Sequence, residues 1–202
     1  FQLHITIMRN EFNLGDLKMN ELQLQFKALR KECMKVMLAL NINVAFDQLS
    51  VDLPLHLGDV DKLMSHFEEV TAEHRHGFNQ LIAFYSPEAR TRAVYLRSDL
   101  AANMSAEAIR GMLAHELVHS LQGDDRLIAE AASVNADDLM RLDTQMEAEA
   151  YMIGAFFERY NTGEEVIAEL TRRADKLDMS IKEYTFSQWH NKVKPGILSL
   201  IN

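Results

Sequence analysis

His115, Glu116 and His119 stand in the run Ala114-His115-Glu116-Leu117-Val118-His119, which reads H-E-x-x-H. On a helix, residues four apart are offset by about 40° and about 6 Å of rise, so both imidazoles share one face. Two such rings can reach one metal ion at Zn–N distances of about 2.0–2.1 Å. Glu116 lies one step round from His115. A carboxylate there is a candidate general base for a water held at the same metal. Only three positions define the pattern, so chance produces it too, and its surroundings must carry the argument.

Those surroundings predict a helix over Ala106–Gln122. Ser105 is a good N-cap, and Glu107 falls in the first turn, where a carboxylate suits the helix dipole. Ile109, Met112, Leu113, Leu117 and Leu121 recur at helical spacings, and Gly123 stands where a C′ glycine ends a helix. The motif sits in the second half of this element.

A catalytic zinc usually keeps three protein ligands and one open position. Downstream, Glu147 and Glu149 lie in Thr144-Gln145-Met146-Glu147-Ala148-Glu149-Ala150-Tyr151. Thr144 is a candidate cap for a helix whose residues Tyr151, Ile153, Ala155, Phe156 and Tyr160 pack inward, with Asn161 and Gly163 as its stop signal. The two glutamates are about 200° apart on such a helix, so only one of them can face the metal.

H-E-L-V-H followed by E-A-E-A-Y resembles the gluzincin metallopeptidases, especially small ImmA/IrrE-like and HtpX-like domains. In that family a second helix carries E-x-x-A-[DN], and its first Glu binds zinc. The resemblance covers roughly residues 80–160 and makes Glu147 the third ligand, 28 residues after His119, with Ala150 as the small residue. This chain has Tyr151 where the family often has Asp or Asn, a departure at a supporting position. The resemblance implies one Zn²⁺ per chain on His115, His119 and Glu147, with Glu116 as the base. It also makes Arg92, Ala93, Val94, Tyr95, Leu96 and Arg97 the edge strand that pairs with a peptide substrate. Tyr151 and Tyr95 are the candidates to donate to the oxyanion, and spacing chooses neither.

Composition sets the outer bounds. The 202 residues, 48% hydrophobic and 25% charged, suit a single domain over 1–202 with a sizeable core. The net charge of −9 argues against a nucleic-acid partner, whose phosphates call for clustered Lys and Arg. Cys33 is the only cysteine, so neither an intrachain disulfide nor a cysteine-rich zinc site is available. No apolar run reaches the length of a membrane span, which separates the chain from membrane-embedded HtpX-like proteins. No signal-peptide pattern opens it, and with a single cysteine a cytoplasmic location is the expectation. The first residue is Phe1 rather than Met, so a processed product or a fragment is expected.

The rest of the chain must position the motif. Phe1, Leu3, Ile5 and Ile7 alternate as a strand with His4 on its polar face, followed by a loop over Asn10–Gly15 and a cap at Asp16. Leu22, Phe26, Leu29, Cys33, Val36 and Leu40 form a heptad-like seam on a helix over 17–40. That seam packs on the domain's own core, or on a partner or second copy. Ile42, Val44 and Phe46 suggest a short strand. Val51, Leu53, Leu55 and Leu57 suggest another, which Pro54 demotes to an edge strand or an extended loop. Asp59 caps a helix over 60–73, after which His74 and His76 mark a helix end before Gly77. Leu81–Tyr85 and Arg92–Arg97 read as a hairpin across Ser86-Pro87-Glu88. Asp124–Leu142 holds a short helix, another spans 164–175, and a last one follows Ser180. Trp189 reads as a packing residue with His190 on the surface, and Pro195-Gly196 ends regular structure.

The expected fold is therefore α+β and zincin-like: a small sheet beside metal-bearing helices, with added helices at both ends. The expected activity is zinc-dependent hydrolysis of a peptide or protein substrate. Two rivals stand beside it. One is a non-catalytic zinc scaffold or assembly module on a peptidase fold, and the other is a helical interaction protein in which the motif is accidental.

Overall fold

The computed structural model describes residues 19–46, 50–88, 90–123 and 136–188. The strand at Phe1–Met8 with His4, the Asn10–Asp16 loop and cap, Trp189, His190 and Pro195-Gly196 lie outside the described residues. The architecture is mixed α+β. Helix α1 spans Met19–Ala39, and strand β1 spans Leu55–Gly58. Then come α2 (Val60–Met64), α3 (Ala72–Gln80), β2 (Ala83–Ser86), β3 (Ala93–Arg97) and the single turn α4 (Ser98–Ala101). The longer helices α5 (Ala106–Gln122), α6 (Ala136–Phe157) and α7 (Gly163–Asp175) follow, with α8 (Ile181–Gln188) last.

The heptad-like seam of α1 turns inward. Phe26, Leu29, Cys33, Val36 and Leu40 are buried in the main core, and α1 packs on α5 and α7. Glu32 ties α1 to α7 by accepting from the backbone N–H of Gly163 at 2.7 Å. A Cβ on Gly163 would lie 2.8 Å from the Glu32 carbonyl, so this approach needs a glycine. Helix α7 starts with a full capping box between Thr162 and Glu165. Among the described residues, no helix is long and apolar enough to cross a membrane.

The sheet has the order β1-β3-β2. β1 runs parallel to β3 with Leu55 opposite Val94, and β2 runs antiparallel with Phe84 opposite Tyr95. The expected hairpin forms, and among the described residues β1, which starts just after Pro54, is an edge strand. The Arg92–Arg97 run is not an edge, however. β3 is the central strand, bonded on both sides and buried along its whole length. Its near-continuous apolar run, Ala93-Val94-Tyr95-Leu96, is what a strand covered on both faces carries.

Three other expectations change. Ile42–Phe46 is not a strand; the Ala45 N–H donates to the Leu121 carbonyl at 2.8 Å, so this segment docks on the end of α5 instead. The helix expected over 60–73 stops at Met64, where the Ser65 hydroxyl turns back onto the Lys62 carbonyl at 2.7 Å. The chain restarts as α3, which runs through Gly77. Positions 74 and 76 are thus inside a helix rather than at its end. Finally, Thr144 caps nothing. α6 begins at Ala136 and runs unbroken through it, since no Pro or Gly interrupts 136–153. The part of the expected Asp124–Leu142 helix before 136 lies outside the described residues.

A second, smaller core sits on the far side of the sheet. Leu63, Ala93 and Tyr95 are buried there, with Phe67 and Phe84 packed against them. The Phe84 and Tyr95 rings stack 4.8 Å apart, and His56 and His66 stack 4.0 Å apart beside Tyr95.

Candidate metal centre

The site is built where α5 crosses α6. Ser105 caps α5 by accepting from Ala108 N–H at 3.2 Å, and Gly123 ends it with φ 75°. Ala114, Val118 and Ala150 are fully buried in one core. The closest approach is made by two residues absent from the sequence reading, Gly111 and Gly154. A Cβ on Gly154 would stand 2.7 Å from the Gly111 carbonyl and 3.3 Å from the His115 Cβ. A glycine inside a helix costs about 1 kcal/mol relative to alanine. That cost is the signal that could have flagged both positions.

This crossing brings His115, His119 and Glu147 together, and the cluster could hold a metal ion. The two Nε2 atoms are 3.1 Å apart, and the Glu147 oxygens lie 3.3 Å from His119 Nε2 and 3.6 Å from His115 Nε2. A tetrahedral ion with arms of about 2.0–2.1 Å needs donor atoms about 3.3–3.4 Å apart. The donor set therefore fits such an ion in both type and spacing. Burial, reinforced by the neighbouring His119, pushes the His115 imidazole down to about 4, with the Glu147 carboxylate opposing. The facing His119 imidazole, with His115 beside it, holds the Glu147 carboxyl below its ordinary value. At neutral pH the cluster thus offers a neutral imidazole at His115 and a carboxylate at Glu147, the forms that bind metals.

Glu149, the other carboxylate of the pair, faces away. It accepts from the Gln122 side-chain amide at 2.9 Å and from Gln145 at 2.9 Å. The same Gln122 amide nitrogen donates to the Met146 carbonyl at 3.0 Å, and Gln122 Oε1 lies 3.1 Å from His119 Nδ1. Gln122, at 6% exposure, is a buried polar residue that sequence reasoning did not single out. Its spacing of three from His119 on one helix was the available clue.

A cleft of about 720 Å³ opens over the cluster. Glu116 and Tyr151 line it with the three donor residues. The Tyr151 ring meets His115 edge-on at 4.4 Å, and burial with the nearby Glu147 and Glu116 carboxylates raises its phenol. Tyr95 is elsewhere: its ring is buried in the second core, and its hydroxyl donates to the Thr91 carbonyl at 2.8 Å. Of the two tyrosines, Tyr151 lines the cleft and Tyr95 does not. Arg92 and Arg97 are also held away, on the Pro87 carbonyl at 3.1 Å and on Asp99 at 2.6–2.8 Å respectively.

The strand that borders the cleft is β2, through Ala83, Phe84 and Tyr85, with residues 80–82 leading into it. Arg97 N–H donates to the Ile82 carbonyl at 2.8 Å, which makes 82 and 97 a hydrogen-bonded pair. By the antiparallel alternation, Phe84 is bonded to β3, whereas the backbone N–H and C=O of Ala83 and Tyr85 point to the outer edge. In agreement, Val94 opposite Tyr85 turns its N–H the other way, to the Pro54 carbonyl at 3.0 Å.

Against protein-family models, curated proteins and solved structures, the chain has no match.

Proposed function

We propose that this chain is a zinc-dependent peptidase with a zincin-like site of the gluzincin kind. The observation that carries the reading is the donor triad, spaced at 3.1–3.6 Å on two crossing helices with Glu116 beside it in the same cleft. His115, His119 and Glu147 would hold the ion. Zinc in such a position supplies Lewis acidity, polarising a carbonyl and lowering the pKa of a water toward about 7.

The remaining chemistry belongs to the chain. Glu116 takes a proton from the attacking water as its oxygen bonds to the scissile carbonyl carbon. It then delivers that proton to the amine nitrogen as the C–N bond breaks, leaving a carboxylate and an amine. The Tyr151 hydroxyl donates toward the carbonyl oxygen as negative charge develops on it. An extended peptide pairs with the outer edge of β2 through the backbone of Ala83, which fixes its register over the triad.

The test is cleavage of a broad peptide library by the zinc-loaded chain and by Glu116→Gln. Wild type should cut, and the variant should hold the same zinc with activity lowered about 10²–10⁴-fold. Equal cleavage by both would overturn the mechanism. Zinc binding without cleavage of any peptide would favour a non-catalytic scaffold.

A further inference from the structure

The hydrogen bonds behind His119 form a chain with one consistent set of proton positions. Gln122 is nearly buried, so its amide must be satisfied from within. One end of it faces the Met146 carbonyl at 3.0 Å and a Glu149 oxygen at 2.9 Å. A carbonyl and a carboxylate oxygen accept only, so the NH₂ group stands at that end. The amide oxygen is left facing His119 Nδ1 at 3.1 Å. An acceptor there requires that Nδ1 carry the hydrogen. In the neutral ring, the lone pair is then on Nε2, so in the metal-free chain the Gln122 oxygen has to outcompete the Glu147 carboxylate, 3.3 Å from Nε2, for the ring hydrogen. Glu149 is itself braced by Gln145 at 2.9 Å, so the chain is anchored at its far end.

We propose that Gln122, oriented by Glu149, is a positioning residue that selects the Nδ1–H tautomer of His119 and so presents Nε2 to the metal. This rests on the metal-centre reading for its purpose but not for its first test. A ring held by neither partner takes either tautomer, and half of its orientations are also wrong for binding. Fixing both before the ion arrives raises affinity, and loss of such a partner typically weakens a site about 10–100-fold. Glu149 thereby has a role distinct from that of Glu147, although both lie in the same short run.

The experiment reads the His119 ring nitrogens by ¹⁵N NMR in the metal-free chain, above the pH at which histidines protonate. Wild type should show the Nδ1–H form, and an Nε2–H ring there would overturn the proposal whatever the zinc result. Gln122→Leu should lose the preference and weaken zinc, measured by chelator competition, about 10–100-fold. Gln122→Glu places two carboxylates face to face and should be equally impaired. The double variant Gln122→Glu with Glu149→Gln restores a donor at the 149 end and keeps an oxygen on His119, so it should recover the tautomer, but only part of the affinity, because a carboxylate oxygen then faces the Met146 carbonyl. A purely structural role predicts no recovery of the tautomer, and loss of the Nδ1–H form in the double variant while it remains folded would reject the relay. If wild type shows the Nδ1–H ring but binds no zinc, the peptidase reading falls and the positioning role stands.

Discussion

Gly111 and Gly154 meet backbone to backbone where α5 crosses α6, so close that a Cβ on Gly154 would sit 2.7 Å from the Gly111 carbonyl. The same Cβ would press on the His115 Cβ at 3.3 Å, so this contact sets the height of the metal ligands as well as the helix spacing. Gly154→Ala should cost about 1–3 kcal/mol by overpacking. It should also weaken metal binding, because His115 must move. Urea melts with and without zinc measure both effects; a neutral result in both would mean that the crossing relaxes freely.

Ala150 is fully buried in the core that holds Ala114 and Val118. Ala150→Leu adds three carbons to a filled space and should likewise destabilise by about 1–3 kcal/mol. The check is the melting midpoint of the metal-free chain, where a loss of metal affinity cannot contribute.

Ala83 turns its N–H to the outer edge of β2 and away from β3. Ala83→Pro removes that donor without breaking a rung of the β2–β3 ladder, since proline is tolerated on an edge strand. Stability should change by less than about 1 kcal/mol, while KM for a cleaved peptide rises about tenfold or more, a loss of about one hydrogen bond's net worth. A large stability loss with unchanged KM would place the peptide elsewhere.

Acid should weaken the fold partly through His56. Burial, with the stacked His66 adding to it, holds the His56 imidazole below its ordinary value. The unfolded chain therefore binds a proton that the folded chain resists. Stability should fall as pH drops from about 6.5 toward the lowered folded value, and be lost in full below it. His115, at about 4, acts in the same direction. His56→Phe keeps a ring beside Tyr95 and should flatten part of the slope, measured as urea midpoints between about pH 7.5 and pH 5. An unchanged slope would show that the His56 pair does not contribute.

The motif helix was legible to its ends because its signals are local: a serine cap, a helical apolar repeat and a C′ glycine. The separation of about 200° allows only one of Glu147 and Glu149 to face the metal, and the resemblance chose Glu147. What was not legible depends on partners distant in sequence. Arg92–Arg97 carries good strand residues, but only β1 arriving in parallel makes it central and leaves β2 as an edge among the described residues. Tyr95 and Tyr151 are alike as residues, and only the sheet's second core removes one of them from the cleft. Gln122 is an ordinary amide in the sequence; its meaning appears once α6 brings Met146 and Glu149 beside it.

The central claim is that His115, His119 and Glu147 hold one ion while Glu116 remains outside the donor set. Zinc titration of the metal-free chain and its single variants tests it most directly. The account predicts one zinc per wild-type chain, the same stoichiometry and affinity in Glu116→Gln, and affinity lowered at least about 10–100-fold in His115→Ala, His119→Ala and Glu147→Gln. Zinc held equally by wild type and Glu147→Gln, or no zinc bound by wild type, would contradict it.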